Sequence, residues 1–385
     1  MLLDEFDYPL PGELIAQQPL AERDASRMMV LHPASGAHGA YEDRVFRDLP
    51  TLLDPGDLLV FNNTKVFPAR LLGRRRGVTA QPVGKNNPAV REHLSAEVEL
   101  LLTRRESDDV WQALVRPGRK IRTGEVLVFG DGELEAEVLA RGDYGVRRVR
   151  LRARSGPTEA VGSVGAFEPA EQTGKGELIE QAIDRFGHVP LPPYIHRADR
   201  AADRDAYQTV YAKVRGAVAA PTAGFHFSER VLEQLRAQGI ETCEITLHVG
   251  LGTFQPVHEA QVENHKMEAE RFEVGEAAAE AIGRARDLGR RVVAVGTTTV
   301  RTLEHIAREN AGRIVAASGE TSLFIVPGFP FQVTRSLLTN FHLPKSTLLM
   351  LVSAFAGRDF IQRVYQHAVA ERYRFYSYGD CMLIL

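Results

Sequence analysis

The sequence predicts an α/β fold class, a mixed α/β domain carrying an inserted small antiparallel β-barrel. Three observations predict it. The 385-residue chain exceeds the roughly 250–300 residues at which one hydrophobic core stops growing, so two domains are expected. Its middle, from 98 to 153, reads as short strands parted by turn residues. After Ser155 the pattern becomes strands followed by loops and helices.

The elements follow in chain order. Residues 58–61 form a short apolar run suited to a strand, with Asn62-Asn63-Thr64-Lys65 behind it. Assigning that strand to the α/β core makes the barrel an insertion: 1–66 with 156–385 is the α/β domain, and 67–155 the barrel. Arg74, Arg75 and Arg76, leading into Gly84, Lys85, Asn86 and Asn87, read as a basic loop. Five strands are expected at 98–102, 110–115, 126–129, 134–139 and 146–153. Pro117-Gly118, Asp131-Gly132 and Gly142-Asp143 supply turns, a spacing that argues for a small barrel or sandwich. In the last strand Val149, Leu151 and Ala153 alternate with Arg148, Arg150, Arg152 and Arg154, so a period of two puts the arginines on one face, which cannot be core.

Beyond Ser155, 217–220 leads through Pro221-Thr222-Ala223-Gly224 to a helix with Ser228 as N-cap and Gly239 past its end. Residues 244–249 lead into Gly250-Leu251-Gly252-Thr253. Residues 291–295 lead into Gly296-Thr297-Thr298-Thr299 and a helix with Val300, Leu303 and Ile306 on one face. Residues 336–339 lead through Asn340-Phe341-His342-Leu343-Pro344 to a helix starting near Ser346. Repeated strand, loop and helix units imply substantial parallel pairing, and the polar loops then follow the strands' carboxyl ends, where open α/β sheets place ligands.

Composition narrows the function classes. A 44% hydrophobic and 25% charged chain is ordinary globular protein. Asp4, Glu5 and Asp7 stand where a signal peptide needs basic residues, and the longest apolar run, 348–355, is too short to span a bilayer. A cytoplasmic protein without membrane contact is expected. Cys243 and Cys381 are too few for a disulfide framework or a cysteine-rich zinc site. Net charge is only -3, but 65–155 holds 19 Lys and Arg against 12 Asp and Glu, leaving 28 against 38 elsewhere. That basic island suggests contact with an anionic polymer.

Chemistry concentrates in the strand-end loops. His226, His248 and His342 could supply a general base and a general acid near neutral pH. Their spacings match no short metal motif, so a metal-free site is expected. Thr222, Thr253, Gln255, Thr297, Thr298, Asn340 and Ser346 stand beside them. Gly250 and Gly252 permit close backbone approach, although the third glycine of a dinucleotide fingerprint is missing. Gly296 with three threonines at a helix start would aim amides and hydroxyls at a carboxylate. Tyr373 to Asp380 could stack bases and contact phosphate through Arg374, or form a final strand with its aromatic face inward.

Taken together, several blocks resemble the S-adenosylmethionine (AdoMet):tRNA ribosyltransferase-isomerases of queuosine biosynthesis. They are Asn62-Asn63-Thr64-Lys65-Val66 with Pro68-Ala69-Arg70, Ala220-Pro221-Thr222-Ala223-Gly224 with His226-Phe227, and His248-Val249-Gly250 with Gly252-Thr253-Phe254-Gln255-Pro256-Val257. Val295-Gly296-Thr297-Thr298 with Val300 to Glu304, Thr339 to Met350, and Tyr373-Arg374-Phe375 with Ser377 to Asp380 complete them. The resemblance runs the length of the chain. Departures are Glu268 and Ala269 where the family tends to have His-Ser, Arg335 where it tends to have Asp, and a longer stretch from Arg74 to His93.

The resemblance implies transfer and isomerisation of the AdoMet ribosyl group onto a 7-aminomethyl-7-deazaguanine at the tRNA wobble position, with release of adenine and methionine. It implies a monomer with no true cofactor, AdoMet being a co-substrate. His226, His248 and His342 are then the proton-transfer candidates, with Asp380 or Glu304 as a charge partner for sulfonium or amine. Thr222, Gly250, Gly252, Thr253, Thr297, Thr298, Asn340 and Ser346 are the AdoMet-binding candidates, and Lys65, Arg70, Arg148, Arg150, Arg152 and Arg374 those for RNA. Two other readings are an AdoMet-dependent tRNA methyltransferase and a non-catalytic RNA-binding protein. The latter would lack clustered polar groups at the strand ends.

Overall fold

A computed structural model describes residues 1–34, 39–76, 97–118, 121–142, 145–154, 174–250, 257 and 259–385. The chain forms two compact units, Met1–Lys65 with Leu191–Leu385, and Val66–Pro190. The first unit opens with β1 (Arg27–His32) and β2 (Ala40–Val45), an antiparallel pair, followed by the wholly buried β3 (Leu58–Asn62) and short β4 (Thr64–Val66).

The second unit contains β5 (Arg70–Arg75), β6 (Val98–Arg105), β7 (Val110–Arg116), β8 (Val126–Phe129), β9 (Leu134–Arg141) and β10 (Val146–Ala153). They pair antiparallel in the order β5-β6-β7-β10-β9-β8, and β8 returns to β5, closing a six-stranded barrel without edges. Closure occurs at Gly73, where a Cβ would lie 2.3 Å from Val128 O, so only glycine lets the strands meet.

The sequence reading found five of these strands and took Arg74, Arg75 and Arg76 as a loop. Strand β5 instead runs through Arg74 and Arg75. Consecutive arginines hide a period of two, but Arg75 is nearly buried and paired with Glu125 (2.6 Å). A paired charge can enter a barrel wall that an unpaired one cannot. The unit also takes in α1 (Lys175–Phe186), packed against β10, and short β11 (Gly187–His188), whereas the sequence boundary fell at 155. Residues 77–96 and 155–173 lie outside the described residues.

The first unit then resumes with β12 (Val214–Ala217), α2 (Glu229–Ala237), β13 (Glu241–Leu247), β14 (Glu270–Val274), α3 (Glu276–Asp287) and β15 (Val292–Val295). It ends with α4 (Thr297–Glu309), β16 (Ala317–Thr321), β17 (Ser336–Asn340), α5 (Thr347–Ala356), α6 (Arg358–Ala370) and β18 (Cys381–Ile384). Nine strands form one sheet in the order β16-β14-β13-β3-β15-β17-β18-β1-β2. The central run β13-β3-β15-β17 is parallel and β17-β18 antiparallel. All residues of β3, β15, β17 and β18 are buried, as expected when both faces of a sheet are covered. No helix among the described residues is long and apolar enough to cross a membrane.

Candidate active site at the carboxyl edge of the sheet

The four central parallel strands end at one edge, and antiparallel β18 begins there, with Cys381 opposite Asn340. Asn62, at the end of β3, ties this edge together. Its Nδ2 donates to Leu247 O (2.9 Å) and Thr298 Oγ1 (3.3 Å), and its Oδ1 accepts from Leu247 N (3.0 Å) and Thr64 N (3.2 Å). Beyond β15 the chain turns into α4 at Gly296, whose φ of +89° favours glycine. The first helical bond runs from Val300 N to Gly296 O (3.3 Å). The amides of Thr297 to Thr299 thus precede the ladder, and no side chain caps them or adds an acid in the first turn.

These elements frame a cleft lined by Thr222, Thr297, Thr298, Asn340 and His342, together with Thr339, Leu348, Tyr376 and Ser377. Five sequence candidates therefore share one cavity. Tyr376 is held at φ +74°, a strained conformation for a non-glycine residue. Asn340 Nδ2 donating to Tyr376 O (2.9 Å) and Tyr376 N donating to Phe341 O (3.1 Å) keep it there.

The histidines separate. His342 lines the cleft, with Nε2 3.0 Å from Thr339 Oγ1, and burial pushes its pKa down to about 3. His226 lies one pocket away, with Nδ1 2.6 Å from Ser26 Oγ. Burial also takes its pKa to about 3, the Asn340 side chain pulling the other way and Arg374 and Arg23 reinforcing the fall. His248 lines neither cavity. It contacts Thr64 Oγ1 (2.8 Å) and packs on Gly216, and its pKa is lowered by burial and by Arg271. At pH 7 these imidazoles are neutral and accept hydrogen bonds, but the burial that keeps them neutral also makes them weak bases, and no imidazolium acid is ready-made here.

Other candidates have structural partners. Asp380 accepts from Arg27 N (2.9 Å) and Arg374 N (2.8 Å), so it fixes the 374–380 turn against β1; burial raises its pKa. Glu304 caps the amides of Gln332, Val333 and Thr334, which accounts for both its oxygens. Ser346 is the N-cap of α5, accepting from Leu349 N (3.2 Å). Gly250 N donates to Glu270 Oε1 (3.0 Å), while Gly252 and Thr253 lie outside the described residues. Among the described residues no three His, Cys, Asp or Glu converge as a metal site.

Of the RNA candidates, Lys65 is exposed and Arg374 half-buried, with Nη2 donating to Gln18 O. Arg70 pairs with Glu99 (3.4 Å). On β10, Arg148, Arg150 and Arg152 point outward as the alternation implies, but each has a carboxylate: Glu106 (2.5 Å), Asp109 (3.5 Å) and Glu137 (2.9 Å). Cross-strand acids thus compensate a charge that looked free in the sequence. Arg335, one of the departures from the family pattern, precedes β17 and so stands at the opposite edge from the cleft.

Sequence reasoning missed Ser26, Arg23 and the buried Arg301–Glu270 pair, and it named Tyr376 only within the base-stacking stretch Tyr373 to Asp380, without its place in the cleft wall. Arg301 gave no pattern signal: one residue past Val300 and two before Leu303, it points away from the Val300, Leu303 and Ile306 face, and only its burial against Glu270 reveals it.

Comparison with known proteins places this geometry. The model of the queuosine biosynthesis protein family matches residues 3–384. The S-adenosylmethionine:tRNA ribosyltransferase-isomerase of Solibacter usitatus is 54% identical over 387 residues, covering 100% of both chains. Those of Moorella thermoacetica and Desulfitobacterium hafniense are 49% and 46% identical, again over 100% of both chains. A crystal structure of an S-adenosylmethionine tRNA ribosyltransferase from Thermotoga maritima is 37% identical, with a TM-score of 0.51, over 99% of this chain and 100% of that one. The chain, whose polar cleft sits where an open α/β sheet binds ligands, belongs to the queuosine biosynthesis protein family.

Proposed function

We propose that this protein is an S-adenosylmethionine:tRNA ribosyltransferase-isomerase. It moves the AdoMet ribosyl group, with rearrangement, onto the 7-aminomethyl-7-deazaguanine at the tRNA wobble position, giving epoxyqueuosine-tRNA and releasing adenine and methionine. Full-length identity to enzymes of that name supports the reading. The structural observation that carries it is the cleft in which Thr222, Thr297, Thr298, Asn340 and His342 meet. The uncapped start of α4 suits the AdoMet carboxylate, because free amides and the positive helix end favour an anion.

Ribosyl transfer requires loss of a proton next to the sulfonium, protonation of departing adenine and a neutral acceptor amine. His342, held neutral by burial, is on its own a weak base and carries no proton to give, so its part in these transfers depends on the charge that bound AdoMet brings beside it. His226 and His248 are further candidates; Gly250, held by Glu270 just past β13, and Gly252 and Thr253, which follow it in the sequence, are assigned to AdoMet. The face of Arg148, Arg150 and Arg152, with Lys65, Arg70 and Arg374, is assigned to tRNA. Exposed ion pairs are worth only about 0–1 kcal/mol, so a phosphate can displace the carboxylates. The enzyme acts as a monomer, in the cytoplasm where tRNA resides.

Chromatography after mixing enzyme, AdoMet and acceptor tRNA tests the reading. Adenine and methionine are expected; S-adenosylhomocysteine would indicate a methyltransferase, and unchanged AdoMet a binding protein.

A further inference from the structure

Beside the cleft lies a second cavity lined by Arg23, Ser26, Phe225, His226, Ser377 and Tyr378, among others. Ser377 lines both cavities, so the 376–378 strip is their common wall. Buried polar atoms meet at this partition: the Asn340 side chain interacts with His226, and among the described residues neither His226 Nε2 nor Asn340 Oδ1 has a partner in good hydrogen-bond geometry. Both residues are at most 3% exposed. Buried groups left in that state are sites for a ligand or an ordered water. The second cavity also has an aromatic wall. Phe225 and Tyr378 stack with centroids 5.8 Å apart at 29°, and Tyr207 abuts both edge-on at 5.5 and 6.0 Å. The pocket's polar side is held in place by the protein: Ser26 Oγ donates to Arg23 O (2.9 Å) and contacts His226 Nδ1 (2.6 Å), Ser377 Oγ pairs with Tyr194 OH, and Arg23 donates to Gln208 O (2.6 Å) and Asp205 O (2.8 Å). That leaves His226 Nε2, the Arg23 Nε and the hydroxyl lone pairs to face a ligand.

We infer that this second cavity is the subsite for the acceptor base, a fused purine-type heterocycle, and that its wall with the first cavity is where donor and acceptor meet. The inference rests on the proposed transfer reaction and deepens it. A two-substrate transfer gains most when both reactants are held a few ångströms apart, and two cavities sharing Ser377 provide that arrangement. A planar base offers a face for aromatic stacking and an edge of donors and acceptors, which is what the pocket supplies. Adenine of AdoMet has the same ring chemistry. The acceptor is favoured because the cavity's rim is the surface segment Pro19 to Ala21, including exposed Leu20, from which a base tethered to a polymer can enter.

The test measures equilibrium binding of free 7-aminomethyl-7-deazaguanine to the full-length enzyme, with and without saturating AdoMet, in wild type and in Tyr378→Leu. Wild type is expected to bind the base with AdoMet in place. Tyr378→Leu is expected to weaken base binding at least about fivefold and to leave AdoMet affinity within about twofold. Competition between base and AdoMet, no base binding to wild type, or unchanged base binding in the variant would each overturn the inference. Weakened AdoMet with intact base binding would give the pocket to adenine instead. The competition arm needs only wild type, so it decides even if the variant does not fold. Release of S-adenosylhomocysteine in turnover would sink the transfer reaction while leaving this binding result to stand or fall separately.

Discussion

Glu270 and Arg301 form an ion pair sealed between β14 and α4, and the other Glu270 oxygen holds the Gly250 amide at 3.0 Å. Arg301 also donates through Nε to Leu323 O (2.9 Å). One carboxylate therefore links the glycine loop after β13 to the helix that opens at the cleft. Removing one partner leaves the other charge buried and uncompensated, so Glu270→Ala should cost about 3–5 kcal/mol in urea denaturation. A loss under about 1 kcal/mol would mean the pair is not closed in solution.

Thr298 couples the same helix to β3, its Oγ1 accepting from Asn62 (3.3 Å) in the wall of the cleft. Thr298→Val keeps the shape and removes the hydroxyl. It should raise the AdoMet Kd several-fold, about 1 kcal/mol for one hydrogen bond, with tRNA affinity unchanged. Filter binding and equilibrium dialysis separate the two. Weaker tRNA with intact AdoMet binding would move the donor site elsewhere.

Acid should destabilise the fold through the buried histidines. His226 and His342 are held down to about 3, below the ordinary value of 6.5. The unfolded chain thus binds more protons in between. Stability present at pH 7 is lost as pH falls through that window, by up to about 1.4 kcal/mol per pH unit for each histidine. Urea midpoints between about pH 7 and pH 5 should fall, and His342→Gln should flatten the trend. An identical slope in the variant would show that other groups control it.

Legibility followed the locality of the signal. Four parallel strands and the loops behind them were readable because apolar runs and glycine turns are local, and Thr222, Thr297, Thr298, Asn340 and His342 do share a cleft. What the sequence hid was partnership. Asp380 and Glu304 look like free carboxylates until backbone amides 6 and 28 or more residues away fill them. Arg148 and Glu106 are 42 residues apart, so the alternation on β10 shows the arginines but not their acids. Tyr376 carried no residue-type signal for a positive φ, which only the surrounding hydrogen bonds impose.

Replacing Arg148, Arg150 and Arg152 with Gln leaves Glu106, Asp109 and Glu137 unpaired on an exposed face. Stability should change little, since exposed pairs contribute about 0–1 kcal/mol each. Binding of tRNA should weaken, and the slope of log affinity against log salt should flatten by about 0.7–0.9 per lost phosphate contact. An unchanged affinity and slope would place tRNA recognition outside this barrel face.

In the proposed reaction AdoMet gives up its ribose rather than its methyl group. The most direct measurement follows label from two AdoMet samples into acceptor tRNA, one labelled in a ribose carbon and one in the S-methyl carbon. Ribose label is expected to become tRNA-bound, with one adenine released per label incorporated, while methyl label leaves with methionine. Methyl label in the tRNA, with ribose label left in S-adenosylhomocysteine, would contradict it.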